Sequence, residues 1–168
     1  MAPTNDPPIK SWYLVYTKPR QEEIALANLA RQGYGVYLPH VRQVRKRRQQ
    51  RVEVVEPLFP RYLFIYLDTQ SDNWGPIRST LGVASLVRFG QEPARVPDEL
   101  VDFLKAREGG EGLHEWAEQE FHSGDRVRVA EGALLGYEGI LLARTSRERV
   151  VVLLDILGRK RGSNQGFK

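Results

Sequence analysis

The segment RYLFIYLD, residues 61–68, constrains the fold more tightly than any other part of the sequence. Its six central residues are aromatic or aliphatic β-formers, and successive side chains of a strand point to opposite sides. The period of two produces one aliphatic and one aromatic face: Leu63, Ile65, Leu67 and Tyr62, Phe64, Tyr66. We expect helices to cover the aliphatic face. An aromatic face left uncovered is typical of a partner-binding surface.

The flanking sequence supplies the other elements of a mixed domain. SWYLVYT, from Ser11, is a second run of β-formers, and Pro19 begins a predicted helix that ends at Gly33. The remaining elements are, in chain order, extended segments at 36–44 and 52–55, a helix at 74–79, a strand at 85–88 and a helix with Asp98 as N-cap. The pattern predicts an α+β fold.

Composition divides the chain into four parts. Residues 1–10, rich in proline and small polar residues, are predicted to be a mobile arm, and residues 11–106 form the first domain. Residues 107–120 are acidic and contain several glycines, which is typical of a linker. Residues 121–168 alternate as strands do and are interrupted by glycines, so they predict a small β-barrel.

Charge is unevenly distributed along the 168 residues, which carry 25 Lys and Arg against 21 Asp and Glu. Six cations fall within ten residues: Arg42, Arg45, Lys46, Arg47, Arg48 and Arg51. Such crowding favours an anionic neighbour, although a solvated hairpin tip has the same composition. The chain has no apolar run of membrane-spanning length and no secretory signal, so we expect a cytoplasmic protein with no membrane partner.

Catalytic and metal-binding patterns are not found in the sequence. His40, His114 and His122 lack metal-ligand spacing, and there is no cysteine. The glycines of GALLGYEGI are not followed by the lysine and hydroxyl of a phosphate-binding loop. We therefore expect a protein that is not an enzyme and needs no cofactor or metal.

Three segments resemble the N-terminal domain of the NusG family in their order and spacing. They are SWYLVYTKP from Ser11, EPLFPRYLFIYLD from Glu56 and GVASLVRFG from Gly82. EPLFPRYLF resembles the RfaH branch of that family more than general NusG. The resemblance implies a ferredoxin-like sheet with helices on one face.

A second resemblance lies beyond the linker. The residues Gly124, Val127, Val129, Gly132, Gly136 and Gly139 resemble a KOW motif, which belongs to a small SH3-like barrel. The tail GRKRGSNQGFK offers almost no apolar closing strand, so an incomplete barrel is one alternative. In the RfaH branch the same segment folds instead as an α-helical hairpin against the first domain, and the sequence leaves both states open.

The resemblance implies two contacts with RNA polymerase. One set of residues matches the apolar pocket for the clamp helices of the largest subunit: Tyr16, Tyr62, Phe64 and Phe89. A second set matches the loop that contacts the opposite jaw: Asn73, Trp74 and Gly75. On composition alone, these aromatics are core residues.

The resemblance also implies contacts with DNA. Lys18, Arg31, Gln32 and Thr80 match positions that contact the non-template strand, and helical spacing puts Asn28 beside Arg31. Leu81 stands where the RfaH branch has an arginine. The six cations at 42–51 are candidates for upstream duplex DNA. A solvated helix face is the alternative for the first group.

Taken together, the resemblance implies a monomeric transcription elongation and antitermination factor that suppresses pausing and termination. Its second domain is expected to contact a ribosomal protein or a termination factor. The alternative is a KOW-containing RNA- or ribosome-binding protein, because cations interspersed with tyrosine and phenylalanine also suit RNA.

Overall fold

The computed structural model describes residues 10–68, 72–109, 113–115 and 135–162. The predicted arm therefore lies almost wholly outside the described residues, as do four residues of the KOW motif, Gly124, Val127, Val129 and Gly132.

The described residues between 10 and 115 form ten strands and three helices, and two further helices follow. The strands are β1 (Lys10–Thr17), β2 (Gly35–Tyr37), β3 (His40–Arg47), β4 (Gln50–Pro57), β5 (Tyr62–Asp68), β6 (Val83–Leu86), β7 (Arg88–Phe89), β8 (Glu92–Pro93), β9 (Arg95–Val96) and β10 (Leu113–Glu115). The helices are α1 (Glu22–Arg31), α2 (Gly75–Arg78), α3 (Asp98–Ala106), α4 (Leu135–Leu142) and α5 (Ser146–Gly162). The mixed α/β class is confirmed.

The main sheet has the order β2-β5-β1-β6, and β9 also pairs with β1. Strands β1 and β5 are antiparallel, with Leu14 opposite Phe64 and Tyr16 opposite Tyr62. Paired residues share a face, so the aromatic face of β5 continues onto β1. The predicted alternation of aliphatic and aromatic faces is confirmed.

Helix α1 covers the aliphatic face. It begins at Glu22, three residues after Pro19, because Arg20 adopts a left-handed turn conformation with φ 61°. Ala25 and Leu29 of α1 are fully buried and pack in one cluster with the aliphatic side chains of β5: Leu63, Ile65 and Leu67. Burial of this stripe holds the helix on the sheet.

Helix α3 lies against the opposite face, which corrects the expectation that the helices share one face. Its side chains Leu100, Val101 and Leu104 are buried in the same cluster as Leu14 and Phe64. The helix begins at Asp98, so Pro97 occupies the N-cap position predicted for Asp98.

Strands β3 and β4 form a two-stranded ribbon, paired from His40 with Pro57 to Arg47 with Gln50. The turn consists of Arg48 and Gln49, with φ of 50° and 66°, as a type I′ hairpin requires. The sequence predicts the ribbon's cations at a hairpin tip, but most of them lie along the strands. The turn itself takes up only Arg48 and Gln49, so the residues on either side of it remain paired.

The predicted linker contains a short strand. Leu113–Glu115 pairs in parallel with His40–Arg42, so β10 becomes the third strand of the ribbon sheet, in the order β10-β3-β4. This pairing satisfies backbone groups on one edge of β3.

Residues 135–162 contain the helices α4 and α5, so the strands expected in this part of the barrel are wrong and the alternative helical hairpin is found. Its buried residues Arg149, Leu153, Ile156 and Leu157 recur at helical spacing. The consecutive valines at 150–152 indicated a strand, but contact with the first domain decides the outcome.

Two predicted KOW glycines, Gly136 and Gly139, lie in α4 rather than in barrel turns. A Cβ atom placed on Gly139 would lie 3.3 Å from Val152 Cγ1 of α5. The missing side chain at Gly139 therefore permits close approach of the two helices.

Candidate functional site

The aromatic face of the main sheet centres on Phe64, which is fully buried. Its ring stacks against Tyr37 at 6.0 Å between centroids and meets Phe59 edge-on at 6.0 Å. These are favourable aromatic geometries. The structure therefore makes Phe64 a core residue in this state, as composition alone predicted.

Tyr16 and Tyr62 lie at one end of this face, with their ring centroids 5.1 Å apart. The Arg61 guanidinium stands 4.1 Å above the Tyr16 ring, and Arg61 Nε donates to the Thr17 carbonyl at 3.1 Å. Burial raises the pKa of the Tyr62 phenol, so it is neutral under ordinary conditions. Both rings are half-buried and form a rim beside Phe64.

The helical hairpin shares one continuous apolar cluster with this face. The cluster contains Phe64 from the sheet and, from the hairpin, Tyr137, Ile140, Leu153, Ile156 and Leu157. Tyr62 and Phe89 pack at its margin. Where α4 meets α3, the rings of Tyr137 and Phe103 lie 5.8 Å apart. The predicted polymerase-binding face is thus occupied by the chain's own hairpin.

Arg149 of α5 is the polar anchor of the hairpin and is fully buried. Its Nε donates to the Leu58 carbonyl at 3.0 Å, and the Gln43 amide oxygen, oriented to accept, receives Nη2 at 3.1 Å. Arg45 pairs with Glu56 through contacts of 2.5 and 2.7 Å, and the Glu56 carboxylate also acts electrostatically on the buried Arg149 cation.

The charge state of Arg149 follows from two opposing effects. Burial lowers its pKa to about 10, and the Glu56 carboxylate opposes that shift. Arg149 is therefore still charged at neutral pH, and the hairpin carries a cation into the interface.

Sequence reasoning missed Arg149, although a local signal for its helix existed. Thr145 accepts from the Glu148 amide at 3.1 Å, and the Glu148 carboxylate accepts from the Arg144 amide at 2.8 Å. A threonine followed three residues later by glutamate is the pattern of a capping box. It would have favoured a helix over a barrel strand at this point.

The loop predicted to contact the opposite jaw is internally bonded. Trp74 Nε1 donates to the Asp68 carbonyl at 3.3 Å, and its ring lies 4.8 Å from Tyr13. The Gly75 amide donates to Asn73 Oδ1 at 3.0 Å. Trp74 is half-buried, whereas Asn73 and Gly75 are exposed. The last two are thus the accessible members of this set.

Four predicted DNA-contacting residues come together on α1 and the loop before β6. Gln32 Nε2 donates to Thr80 Oγ1 at 2.7 Å, and Arg31 Nη1 donates to Asn28 Oδ1 at 3.3 Å. Leu81 beside them is 65% exposed. Arg31 and Gln32 are exposed and Asn28 is half-buried, whereas Thr80 is buried beneath Gln32, so the polar surface is formed by the first three with Leu81 next to them.

The ribbon carries its charges in two groups. Near its base, Arg42 pairs with Glu53 at 2.6 Å and Arg45 pairs with Glu56. Toward the turn the exposed cations are Lys46, Arg47, Arg48 and Arg51. The distal half of the ribbon is therefore its basic part.

The described ranges contain neither a metal-binding cluster nor a membrane-spanning helix. Within them, no group of three or more histidine, aspartate or glutamate side chains could hold a metal ion. None of the helices described is both long enough and apolar enough to cross a membrane.

Comparison with known proteins identifies the family. The profile described as "Transcription termination factor nusG" matches residues 10–105. The "Transcription termination/antitermination protein NusG" of Thermus thermophilus is 33% identical, covering 89% of this chain and 91% of its own. Its namesake from Deinococcus radiodurans is 28% identical, with coverages of 89% and 92%.

A solved structure, "Domain interaction in Thermotoga maritima NusG", is 23% identical, with a TM-score of 0.41 and 70% coverage of each chain. The relatives named here are NusG proteins, so closeness to the RfaH branch stays a prediction. The three sequence segments, the antiparallel sheet they build and the match over residues 10–105 agree: the chain belongs to the NusG family.

Proposed function

We propose that this protein is a transcription elongation and antitermination factor that binds RNA polymerase through the aromatic face of its main sheet. The observation that carries the proposal is that Phe64, with Tyr62 at its margin, shares an apolar cluster with a hairpin from a distant part of the chain. A face that needs such a cover would otherwise expose a large apolar patch.

The partner proposed for this face is the helical tip of the polymerase clamp. The chain's own cover consists of two antiparallel helices, α4 and α5, so the face accepts a helical hairpin. The polymerase and the hairpin would compete for it, and binding would require the hairpin to leave. Exposed Asn73 and Gly75 are the proposed contacts with the opposite jaw.

The proposed DNA contacts use two separate surfaces. Asn28, Arg31, Gln32 and Thr80, together with Lys18, would meet the non-template strand, because amide and guanidinium groups recognise both phosphates and base edges. Lys46, Arg47, Arg48 and Arg51 would follow upstream duplex DNA through charge alone. In the bound state the protein would span the nucleic-acid cleft and disfavour the opened, paused state, with no chemical step.

The test is co-migration with a reconstituted elongation complex, with polymerase titrated against wild type, Tyr62→Ala and Arg149→Ala. We choose Tyr62 rather than Phe64 because it is half-buried, so its loss leaves the core intact. We expect Arg149→Ala to bind more tightly than wild type, since its cover is weakened, and Tyr62→Ala to bind less tightly. The exposed Arg147 is the matched control for Arg149.

Two results would contradict the proposal. Equal binding by wild type and both variants would mean that this face is not the polymerase site. Binding to free RNA as tight as to the elongation complex would favour an RNA- or ribosome-binding protein instead. A pausing assay completes the test, because a factor that binds without shortening pauses lacks the proposed effect.

A further inference from the structure

A second aromatic cluster lies on the same sheet face, at the opposite end from Tyr16 and Tyr62, and contains none of the residues that the family resemblance assigns to the clamp pocket. It consists of Trp12 on β1, Tyr37 on β2 and Tyr66 on β5. Trp12 is directly opposite Tyr66, with ring centroids 4.9 Å apart, and lies 6.5 Å from Tyr37. All three side chains are half-buried, so each retains accessible ring surface.

Two exposed lysines stand over these rings. Lys105 Nζ lies 5.1 Å from the ring centroids of both Trp12 and Tyr37, and Lys10 Nζ lies 6.0 Å from that of Tyr66. The nearby acidic side chains are already engaged or buried: Glu108 accepts from the Tyr37 hydroxyl, and Asp68 is 1% exposed. The surface is therefore a set of inclined aromatic rings, with 65° between the planes of Trp12 and Tyr37 and 43° between those of Trp12 and Tyr66, and with two exposed cations above them.

This combination suits one class of ligand. Proteins bind single-stranded nucleic acid by stacking bases on aromatic side chains and meeting the backbone with cations. An exposed cation–π contact is weaker than base stacking on the same ring, so a base can displace each ammonium toward a neighbouring phosphate. A duplex hides its base faces, and two ammonium groups above the rings disfavour an apolar protein helix.

We propose that Trp12, Tyr37 and Tyr66 form a base-stacking site for single-stranded RNA, with Lys10 and Lys105 contacting its phosphates. The choice of RNA over DNA rests on the proposed function. The candidate non-template contacts, Asn28 and Gln32 among them, lie on α1, which covers the other face of the sheet. The remaining single strand in a transcribing complex is the transcript.

The experiment is fluorescence anisotropy of the full chain, without polymerase, on a labelled unstructured RNA of about twelve nucleotides. The same sequence as single-stranded DNA and as RNA duplex provides the comparison arms. We expect the single-stranded RNA to bind most tightly and Tyr66→Leu to weaken it about tenfold. The double variant Lys10→Gln, Lys105→Gln should lower the logarithmic salt slope by about 1.4.

Matched variants separate stacking from folding and from charge. Trp12→Leu keeps an apolar side chain and loses the ring, whereas Trp12→Phe keeps a ring and should restore binding. Arg144→Gln with Arg147→Gln removes two exposed cations from the hairpin and should leave the affinity within about twofold of wild type. Circular dichroism checks that each variant is folded.

Wild-type affinity in folded Tyr66→Leu and Trp12→Leu would overturn the stacking site. Tighter binding of single-stranded DNA than of RNA would overturn the choice of ligand. The assay is independent of polymerase binding: a Tyr66→Leu variant that joins the elongation complex but loses RNA supports both proposals. RNA binding by a chain that never joins the complex would defeat the proposed function alone.

Discussion

The two faces of the main sheet are covered in different ways. The aliphatic face is covered by α1, which begins five residues after β1 ends, and its cluster draws on residues 13–86. The aromatic face is covered partly by α3 and partly by α4 and α5, which follow it by many tens of residues. The first cover is close in sequence to the strands that it covers, whereas the second comes from a distant part of the chain.

The chemistry of the two covers differs as well. Beneath α1 the contact is made by small and aliphatic side chains such as Ala25 and Leu29. Beneath the hairpin, a charged Arg149 is buried among apolar groups. A buried cation contributes little net stability, because its desolvation offsets its contacts, but it disfavours any docking geometry in which those contacts are lost. The difference suggests one permanent cover and one that is specific and removable.

The largest expected effects come from cavities beneath each cover. Leu29→Ala and Leu153→Ala both truncate fully buried leucines and should each cost about 3 kcal/mol. Leu29→Ala should lower the free energy of unfolding of the whole first domain. Leu153→Ala should instead weaken hairpin docking, since the first domain keeps its own α1 core. Urea unfolding combined with amide hydrogen exchange measures both.

A shared response of the two covers would contradict this difference between them. If Leu153→Ala shifts exchange in β1 and β5 as much as in α5, the hairpin is an integral part of one cooperative unit. The interpretation of the hairpin as a removable cover would then be wrong.

Arg149→Ala should weaken hairpin docking by about 2 kcal/mol, because the Leu58 carbonyl and the Gln43 amide oxygen lose a buried charged donor. We expect faster amide exchange in α4 and α5 and little change in β5. Arg147→Ala, on the exposed side of the same helix, should leave exchange within error. Slower exchange in Arg149→Ala would mean that the cation only costs energy.

Glycine substitutions test how closely α1 is packed on the permanent cover's side of the sheet. Gly82 has φ 89°, and a Cβ atom there would lie 2.7 Å from the Ala25 amide nitrogen. Gly82→Ala should therefore lower the free energy of unfolding by about 2 kcal/mol, because it strains the backbone and displaces α1. Gly33 has φ 96° with nothing within 4 Å of an added Cβ, so Gly33→Ala should cost about 1 kcal/mol. If Gly82→Ala and Gly33→Ala lower the stability equally in thermal unfolding, α1 can move aside to accommodate the added Cβ atom at Gly82.

The smallest effect per residue concerns the distal, basic half of the ribbon, whose exposed cations belong to neither cover. The logarithm of the affinity for duplex DNA falls as the logarithm of the salt concentration rises. Arg48→Gln and Arg51→Gln should each make this slope shallower by about 0.9. Arg45→Gln should change the slope less, because Glu56 already neutralises Arg45. If all three variants have the same slope as the wild type, the DNA binds elsewhere on the protein. A salt titration on a random-sequence duplex measures this.

Much of the first domain was predictable because its signals are local. The alternation in residues 62–67, the helix after Pro19 and its end before Gly33 follow from neighbouring residues, and the structure has each of them within a few positions. The ribbon's cations were assigned to a tip because composition cannot distinguish a two-residue turn from a longer one. The approach of Gln32 to Thr80 was implied by family resemblance alone, since 48 residues separate them.

The alternation of residues 62–67 is enough to specify the two faces of β5, because a period of two depends only on the order of the residues. What covers the aromatic face, and with it the state of residues 135–162, depends on packing between distant parts of the chain. The valines at 150–152 suit a strand, while Thr145 and the spacing of Leu153 and Leu157 suit a helix. Local propensities so nearly balanced are settled by burial against another surface, and that surface is supplied by Phe64, Leu58 and their neighbours.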